Sequence, residues 1–138
     1  MSVTIRQFEP RDFSGVDHVW STCFPDDPPN NCAAIAIPQK LAFQPELFWV
    51  AVDDERVVGS IMAGYDGHRG WLYAVAVLPT VQRHDIGTQL VRTAEDALRE
   101  LGCTKVNLQV RDTKKAVAAF YSRLGYTKEP RVSMGRRL

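Results

Sequence analysis

An α/β (α+β) fold in a single domain, residues 1–138, is predicted by three features of the chain. The runs LFWVAV, VVGSIMAGY and WLYAVAVL read as strands joined by turn residues, an antiparallel meander. Two stripes of apolar residues at helical spacing follow it, one from Ile86 to Leu101 and one from Ala116 to Leu124. The chain is 45% hydrophobic, enough for one core that hides about two-thirds of the surface an unfolded chain of this size exposes.

The elements follow in order. Val3 and Ile5 alternate with polar neighbours as a first strand, and Phe13, Val16, Val19, Trp20 and Cys23 recur at helical spacing. Three prolines in the eight residues Phe24 to Asn31 predict an exposed loop. Pro38 interrupts the apolar pattern from Ala33 to Phe43, so a second helix there is open, and Pro45 closes the region. The charged turn DDER and the pair Asp66-Gly67 then link the three strands of the meander. The last of these is apolar at every position, which predicts a central strand covered on both faces. Pro79 ends it, and a polar loop, Thr80 to Asp85, leads into the helix of Ile86, Leu90, Val91, Ala94, Leu98 and Leu101, closed by Gly102. KVNLQV alternates as a strand, Asp112 or Thr113 offers an N-cap, and Ala116, Val117, Phe120, Tyr121 and Leu124 form a helical face ending at Gly125. A final strand is expected within 126–138. No repeat, linker or low-complexity tract divides the chain.

Composition narrows the function. A formal charge of +1 and a pI near 7.7 give no basic field for a nucleic-acid partner, and the local basicity of Arg131, Arg136 and Arg137 reads as a solvated tail. The N-terminus MSVTIRQFEP has no apolar signal core, and the longest apolar run, Trp71 to Leu78, is too short to span a membrane, so a cytoplasmic protein is expected. Three cysteines, Cys23, Cys32 and Cys103, form no CxxC and stand beside no histidine cluster. Neither a disulfide framework nor a metal site is expected.

The segment from Val77 to Thr88 runs from a strand through a polar loop into a helix N-terminus. The first N–H groups of such a helix lack internal partners and carry the positive end of its dipole, which suits an anion, and Arg83 adds a charge-assisted contact. Any strand-loop-helix crossover shares this geometry, so it does not fix a ligand by itself.

Gln82-Arg83-His84-Asp85-Ile86-Gly87, with Thr88 next, resembles the Q/R-x-x-G-x-G/A signature of the GNAT (GCN5-related N-acetyltransferase) family. Phe120-Tyr121-Ser122-Arg123-Leu124-Gly125-Tyr126 resembles that family's F-Y-x-x-L-G-F/Y. The two motifs in this order are more specific than either alone, and the likeness covers nearly the whole chain. The run Tyr65 to Gly70, with Arg136-Arg137-Leu138, is similar to the YpeA-type branch. The resemblance implies the GNAT fold, a mixed, mostly antiparallel central sheet flanked by helices. It also implies acetyl-CoA as cosubstrate, lying between the Trp71–Leu78 and Lys105–Val110 strands, with its pyrophosphate on the amides of the Gln82–Thr88 loop. Val75 and Val77 would pair with the pantetheine arm through their main chains, the Val77 amide serving the oxyanion; Asn107, a polar residue on the strand opposite, is a candidate to bond a pantetheine amide and also reads as solvent-facing on a half-buried strand. Two positions depart from the pattern. Asp85 stands where the family usually has its first glycine, and Lys114 where it often has an asparagine on the pantetheine arm.

The expected reaction is acetyl transfer from acetyl-CoA to a primary amine in a ternary complex. The resemblance gives Tyr121 the general-acid role, since a phenol can protonate a departing thiolate; without it, Tyr121 reads as a core aromatic. No Asp, Glu or His lies between Trp71 and Leu78, where many relatives carry a carboxylate, so proton loss from the amine is expected to pass through water. Asp66 and His68, at the hairpin turn, and Asp26 and Asp27, in the proline-rich loop, are candidate acceptor contacts. Each also reads as an ordinary turn or surface residue. The expected partner is an amine-bearing small molecule or protein, with the chain a monomer or homodimer. The alternative is an acyl-CoA-binding sensor of the same fold with little catalysis, to which Asp85, Lys114 and the missing carboxylate point.

Overall fold

The computed structural model describes residues 2–138, the side chain of Arg83 aside. The alternating run at Val3–Gln7 forms strand β1, and the apolar stripe after it forms helix α1, Phe13–Cys23. The proline-rich loop holds only a short 3₁₀ turn, Pro29–Asn31, before helix α2, Ala33–Ala42. Strands β2 (Phe48–Asp53), β3 (Arg56–Tyr65) and β4 (Gly70–Val77) make the expected meander. A 3₁₀ turn over Pro79–His84 takes the place of the expected irregular loop and feeds helix α3, Ile86–Glu100. Strand β5 (Val106–Leu108) and helix α4 (Lys115–Arg123) follow. Gly102 (φ 93°) and Gly125 (φ 98°) end the last two helices in the left-handed conformation that disfavours a Cβ.

The sheet order is β1-β2-β3-β4-β5, antiparallel through β4 and parallel between β4 and β5. Trp20 of α1 donates from Nε1 to Ser60 Oγ at 2.8 Å, while a Cβ on the neighbouring Gly59 would stand 3.2 Å from Leu90 of α3. Successive strand residues point to opposite faces, so α1 and α3 cover opposite sides of β3. Val16, Val19, Phe48, Ile61, Leu90 and Leu98 are fully buried between them. No helix among the described residues is long and apolar enough to cross a membrane.

One open question is answered and three local expectations are corrected. Helix α2 continues through Pro38. Its missing N–H costs one helical bond to Ala34, which is exposed and open to water, while burial of Ala33 and Ile37 holds the turn in place. Strand β4 is fourth of five and not covered on both faces: Trp71 and Tyr73 are 38% and 43% exposed. The covered central strand is β3, buried without a break from Val57 to Ala63. The N-cap of α4 is Lys114, with Asp112 and Thr113 in the turn before it. Finally, 126–138 forms no strand. Pro130 supplies no N–H, and β5 is only three residues long, too short a template. Side chains alone tie this segment to β5, through Lys105 and Asn107 to Glu129 and through Gln109 to Ser133.

Candidate active site

Strands β4 and β5 pair over three positions only, Gly70–Val106, Trp71–Asn107 and Leu72–Leu108. Beyond them, Tyr73–Val77 and Leu108–Arg111 line a groove of about 800 Å³, completed by the end of α1 and its loop, by α2 and by α4. A bulge in β4 accompanies the parting. The register against β3 shifts between Ser60–Ala76 and Met62–Tyr73, and Ala74 takes φ 51°, rarely adopted by a residue with a Cβ. A buried relay braces that turn: Trp20 donates to Ser60 Oγ, which donates to the Ala74 carbonyl at 2.9 Å.

The ladder orients the backbone at the groove's inner end. Leu78 N–H donates to Val58 O at 2.9 Å, so Gly59–Val77 is a non-hydrogen-bonded pair and Val77 turns its own N–H and C=O away from β3. The Val77 carbonyl accepts from Gln82 Nε2 at 3.0 Å and from Cys23 Sγ at 3.4 Å. Val75, Val77 and Gln82 all line the groove.

Helix α3 begins immediately after this point. Its first bond runs from Gln89 N–H to Asp85 O at 3.0 Å, so the amides at 86–88, from Ile86 to Thr88, find no partner in the helix itself. A Cβ on Gly87 would stand 3.2 Å from Phe120 and 3.8 Å from Val77, so the glycine lets α4 and β4 close on the helix start. Asp85 sits in the left-handed region (φ 56°, ψ 20°), which Asp tolerates. Its carboxylate makes no capping bond and stays exposed. His84 is exposed and Thr88 half-buried at the same turn, while the Arg83 side chain lies outside the described residues.

Tyr121 lines the groove from α4 and is 8% exposed, packed edge-on against Phe120 and Tyr126. Burial pushes its phenol up to about 12, so it stays protonated through the neutral range. The Tyr126 hydroxyl donates to Glu95 at 2.7 Å, but the Tyr121 hydroxyl has no protein partner among the described residues and is not sealed off. Lys114 lines the same wall.

Other candidates separate. Asp26 and Asp27 both line the groove, with Asp27 held by Arg111 at 2.8 Å. Asp66 accepts the backbone N–H groups of Arg69 (2.7 Å) and His68 (2.8 Å), which hold its carboxyl below the usual carboxylate range. It builds the hairpin turn, and neither it nor His68 lines the groove. Asn107 also points elsewhere, donating to Glu129 at 2.7 Å.

Sequence reasoning missed Lys40. It is 5% exposed on α2, donates to Ala63 O and lies 5.4 Å from the centre of the Tyr73 ring, on the groove wall. Burial pulls its pKa down to about 8. A signal was present, since Ala33, Ile37 and Lys40 share one helical face and the lysine stands where the stripe calls for an apolar residue.

Known proteins match this architecture along the whole chain. A protein of Sodalis glossinidius named as an acetyltransferase is 40% identical over 135 residues, covering 97% of this chain and 94% of its own. One of Yersinia enterocolitica, also named as an acetyltransferase, is 37% identical over 134 residues with the same coverage. Among solved structures, the PaiA N-acetyltransferase of Thermoplasma acidophilum, in complex with coenzyme A, superposes with a TM-score of 0.83 at 19% identity, over 96% of this chain and 94% of that one. That likeness concerns the fold. With residues 5–126 matching the family model as well, the chain belongs to the acetyltransferase (GNAT) family, a family of acyltransferases.

Proposed function

We propose that this protein is a cytoplasmic N-acetyltransferase that moves the acetyl group of acetyl-CoA to a primary amine in a ternary complex, with Tyr121 as general acid. One observation carries the reading. The parted strands leave an outward-facing Val77 peptide and the unpartnered Tyr121 hydroxyl on one groove, and the helix start at 86–88, with amides unpaired in the helix, abuts Val77 and Phe120 beside it. Three free thiols suit a reducing compartment.

Each part answers a need of the chemistry. The amides at 86–88 suit a pyrophosphate. The Val77 N–H is free to donate to the oxygen on which negative charge develops when a neutral amine attacks the thioester carbonyl. As the C–N bond forms and the C–S bond breaks, Tyr121 gives its proton to the departing sulfur. The amine nitrogen sheds its proton to water, and the phenolate is reprotonated from solvent. A phenol held near 12 is a weaker acid than a thiol, so Tyr121 acts by hydrogen-bonding the sulfur as charge builds and by completing transfer late. The extended Val75–Val77 segment offers main-chain groups to the pantetheine arm, in the manner of an added strand. Asp26 is the groove-lining carboxylate that no side chain engages among the described residues, and it attracts the cationic amine before deprotonation.

Thiol release from acetyl-CoA across an amine panel, with products identified by mass, tests the reaction. Tyr121→Phe is expected to lower kcat roughly 10-fold or more, within the usual range for general acid catalysis, while acetyl-CoA still binds. An unchanged turnover number in that variant removes Tyr121 from the role. The uncapped Asp85 carboxylate beside the anion seat favours a second reading, an acyl-CoA sensor with little catalysis. Tight CoA binding with no thiol release on any amine would select it.

A further inference from the structure

Lys40 places a cation in the groove that acetyl transfer does not itself require. We propose that Lys40 and Tyr73 form a carboxylate seat, so that the amine acetylated here also carries a carboxylate several bonds away. The inference rests on the groove being an amine-acetylating site.

The side chain is held in place and is not freely solvated. Helix α2 sets Lys40 on its buried face beside Ile37, and Gln44 just beyond the helix locks onto β3, donating to Tyr65 O at 2.8 Å and accepting Tyr65 N–H at 3.0 Å. An ammonium has three donors. One goes to Ala63 O, and the face of the Tyr73 ring lies 5.4 Å away, leaving capacity for a ligand. Among the described residues Lys40 makes no ion pair, and the groove's Asp27 is engaged by Arg111. Glu46 acts on Lys40 through space but makes no ion pair with it, so the ammonium is withdrawn from water without a contact counter-ion, and an incoming anion lowers that cost. A single ammonium matches a single negative charge, whereas a phosphate dianion would leave charge in excess, so the ligand is a carboxylate.

Position sets the spacing. Tyr73 and Val77 are four residues apart on β4, about 13 Å at 3.3 Å per residue and less through the bulge. If the acetyl carbonyl sits at Val77, the attacking nitrogen and the carboxylate on Lys40 are separated by several bonds. That is the span of an ω-amino acid or a dipeptide, longer than that of an α-amino acid.

Calorimetry on the CoA-saturated protein tests the seat without relying on turnover. The probes are 4-acetamidobutanoate and its neutral primary amide. The acid is expected to bind at least tenfold more tightly than the amide. Lys40→Gln, which keeps a donor for Ala63 but removes the charge, is expected to erase that preference, and Lys40→Arg to restore part of it. Lys40→Met serves if the Gln variant fails to melt cooperatively or to bind CoA. Equal binding of acid and amide by the unmodified protein, binding of neither, or a preference that survives the loss of charge would each overturn the proposal. Turnover on 4-aminobutanoate and its amide should show the same tenfold preference in KM with little change in kcat. Neutral amines acetylated as readily as the acid would sink the carboxylate seat and leave the acetyltransferase reading standing. Lys40-dependent acid binding with no thiol release on any amine would do the reverse.

Discussion

The two sides of the sheet are built from the same apolar residue types and end differently. On one side β1 pairs with β2 over five residues and β2 with β3 over six, staying paired on both sides of a register shift at Ala51–Val52, and β3 disappears into the core. On the other side β4 bulges at Ala74 and pairs with β5 over three residues before a groove opens. Ladders that stay paired satisfy the backbone groups between their strands, which builds stability and leaves those groups nothing to offer a ligand. An interrupted ladder leaves backbone donors such as Val77 N–H facing outward. The difference between the two sides is therefore a division of labour, and substitutions on either side should separate stability from activity.

The largest expected effect falls on the closed side. Phe48 is fully buried on β2, stacked on Phe8 at 4.4 Å and near Trp20 at 6.4 Å. Phe48→Ala should cost about 3–5 kcal/mol of stability, measured by denaturant melts. Turnover per folded molecule should change little at a temperature where the variant stays folded. A proportionate loss of kcat in folded protein would show that the two sides are not separable.

Ser60 tests the brace between the sides. Ser60→Ala deletes the acceptor for Trp20 Nε1 and the donor to Ala74 O at once, leaving a buried indole N–H unpaired. About 1–3 kcal/mol of stability should be lost. Because the relay ends on the bulge, kcat/KM for acetyl-CoA should also fall by about tenfold, an activity cost that Phe48→Ala lacks. A variant as unstable as expected but fully active would mean that the bulge keeps its shape without the brace.

The same contrast explains what the sequence disclosed. Strands β1 to β4 and helices α1 and α3 were legible because each carries an uninterrupted apolar period. The Val77–Thr88 turn and Tyr121 were legible because a helix start and a paired motif are local patterns. What stayed hidden depends on distant partners. Pro38 argues against a helix until Ala33 and Ile37 are seen buried, and the apolar β4 run argues for a central strand until its neighbour proves to be three residues long. Ser60 looks like any strand serine, and its bond to Trp20 spans forty positions of chain. Asn107 is open to either reading in the sequence because alternation gives two faces and not which one borders the groove; Glu129 holds it away from the groove. Asp85 is visible in the sequence as a departure from the family's glycine, but where its carboxylate goes is not. Its backbone takes the left-handed conformation that Asp tolerates, and no capping bond forms.

That uncapped carboxylate gives the smallest effect and the sharpest test of the open side. If the amides at 86–88 hold a pyrophosphate, Asp85 opposes it. A like-charge pair about 8 Å apart at an effective dielectric of about 40 costs about 1 kcal/mol. Asp85→Asn keeps the shape and the tolerance for left-handed angles while removing the charge. Acetyl-CoA should then bind about fivefold more tightly by calorimetry, and the gain should shrink as salt is raised. S-acetylpantetheine, which lacks the pyrophosphate, should bind both forms equally. The variant should also lose a few tenths of a kcal/mol of stability, because a carboxylate at a helix start favours the helix dipole. An equal gain for both ligands would place the effect in the backbone of the turn, and no gain for either would move the pyrophosphate away from α3.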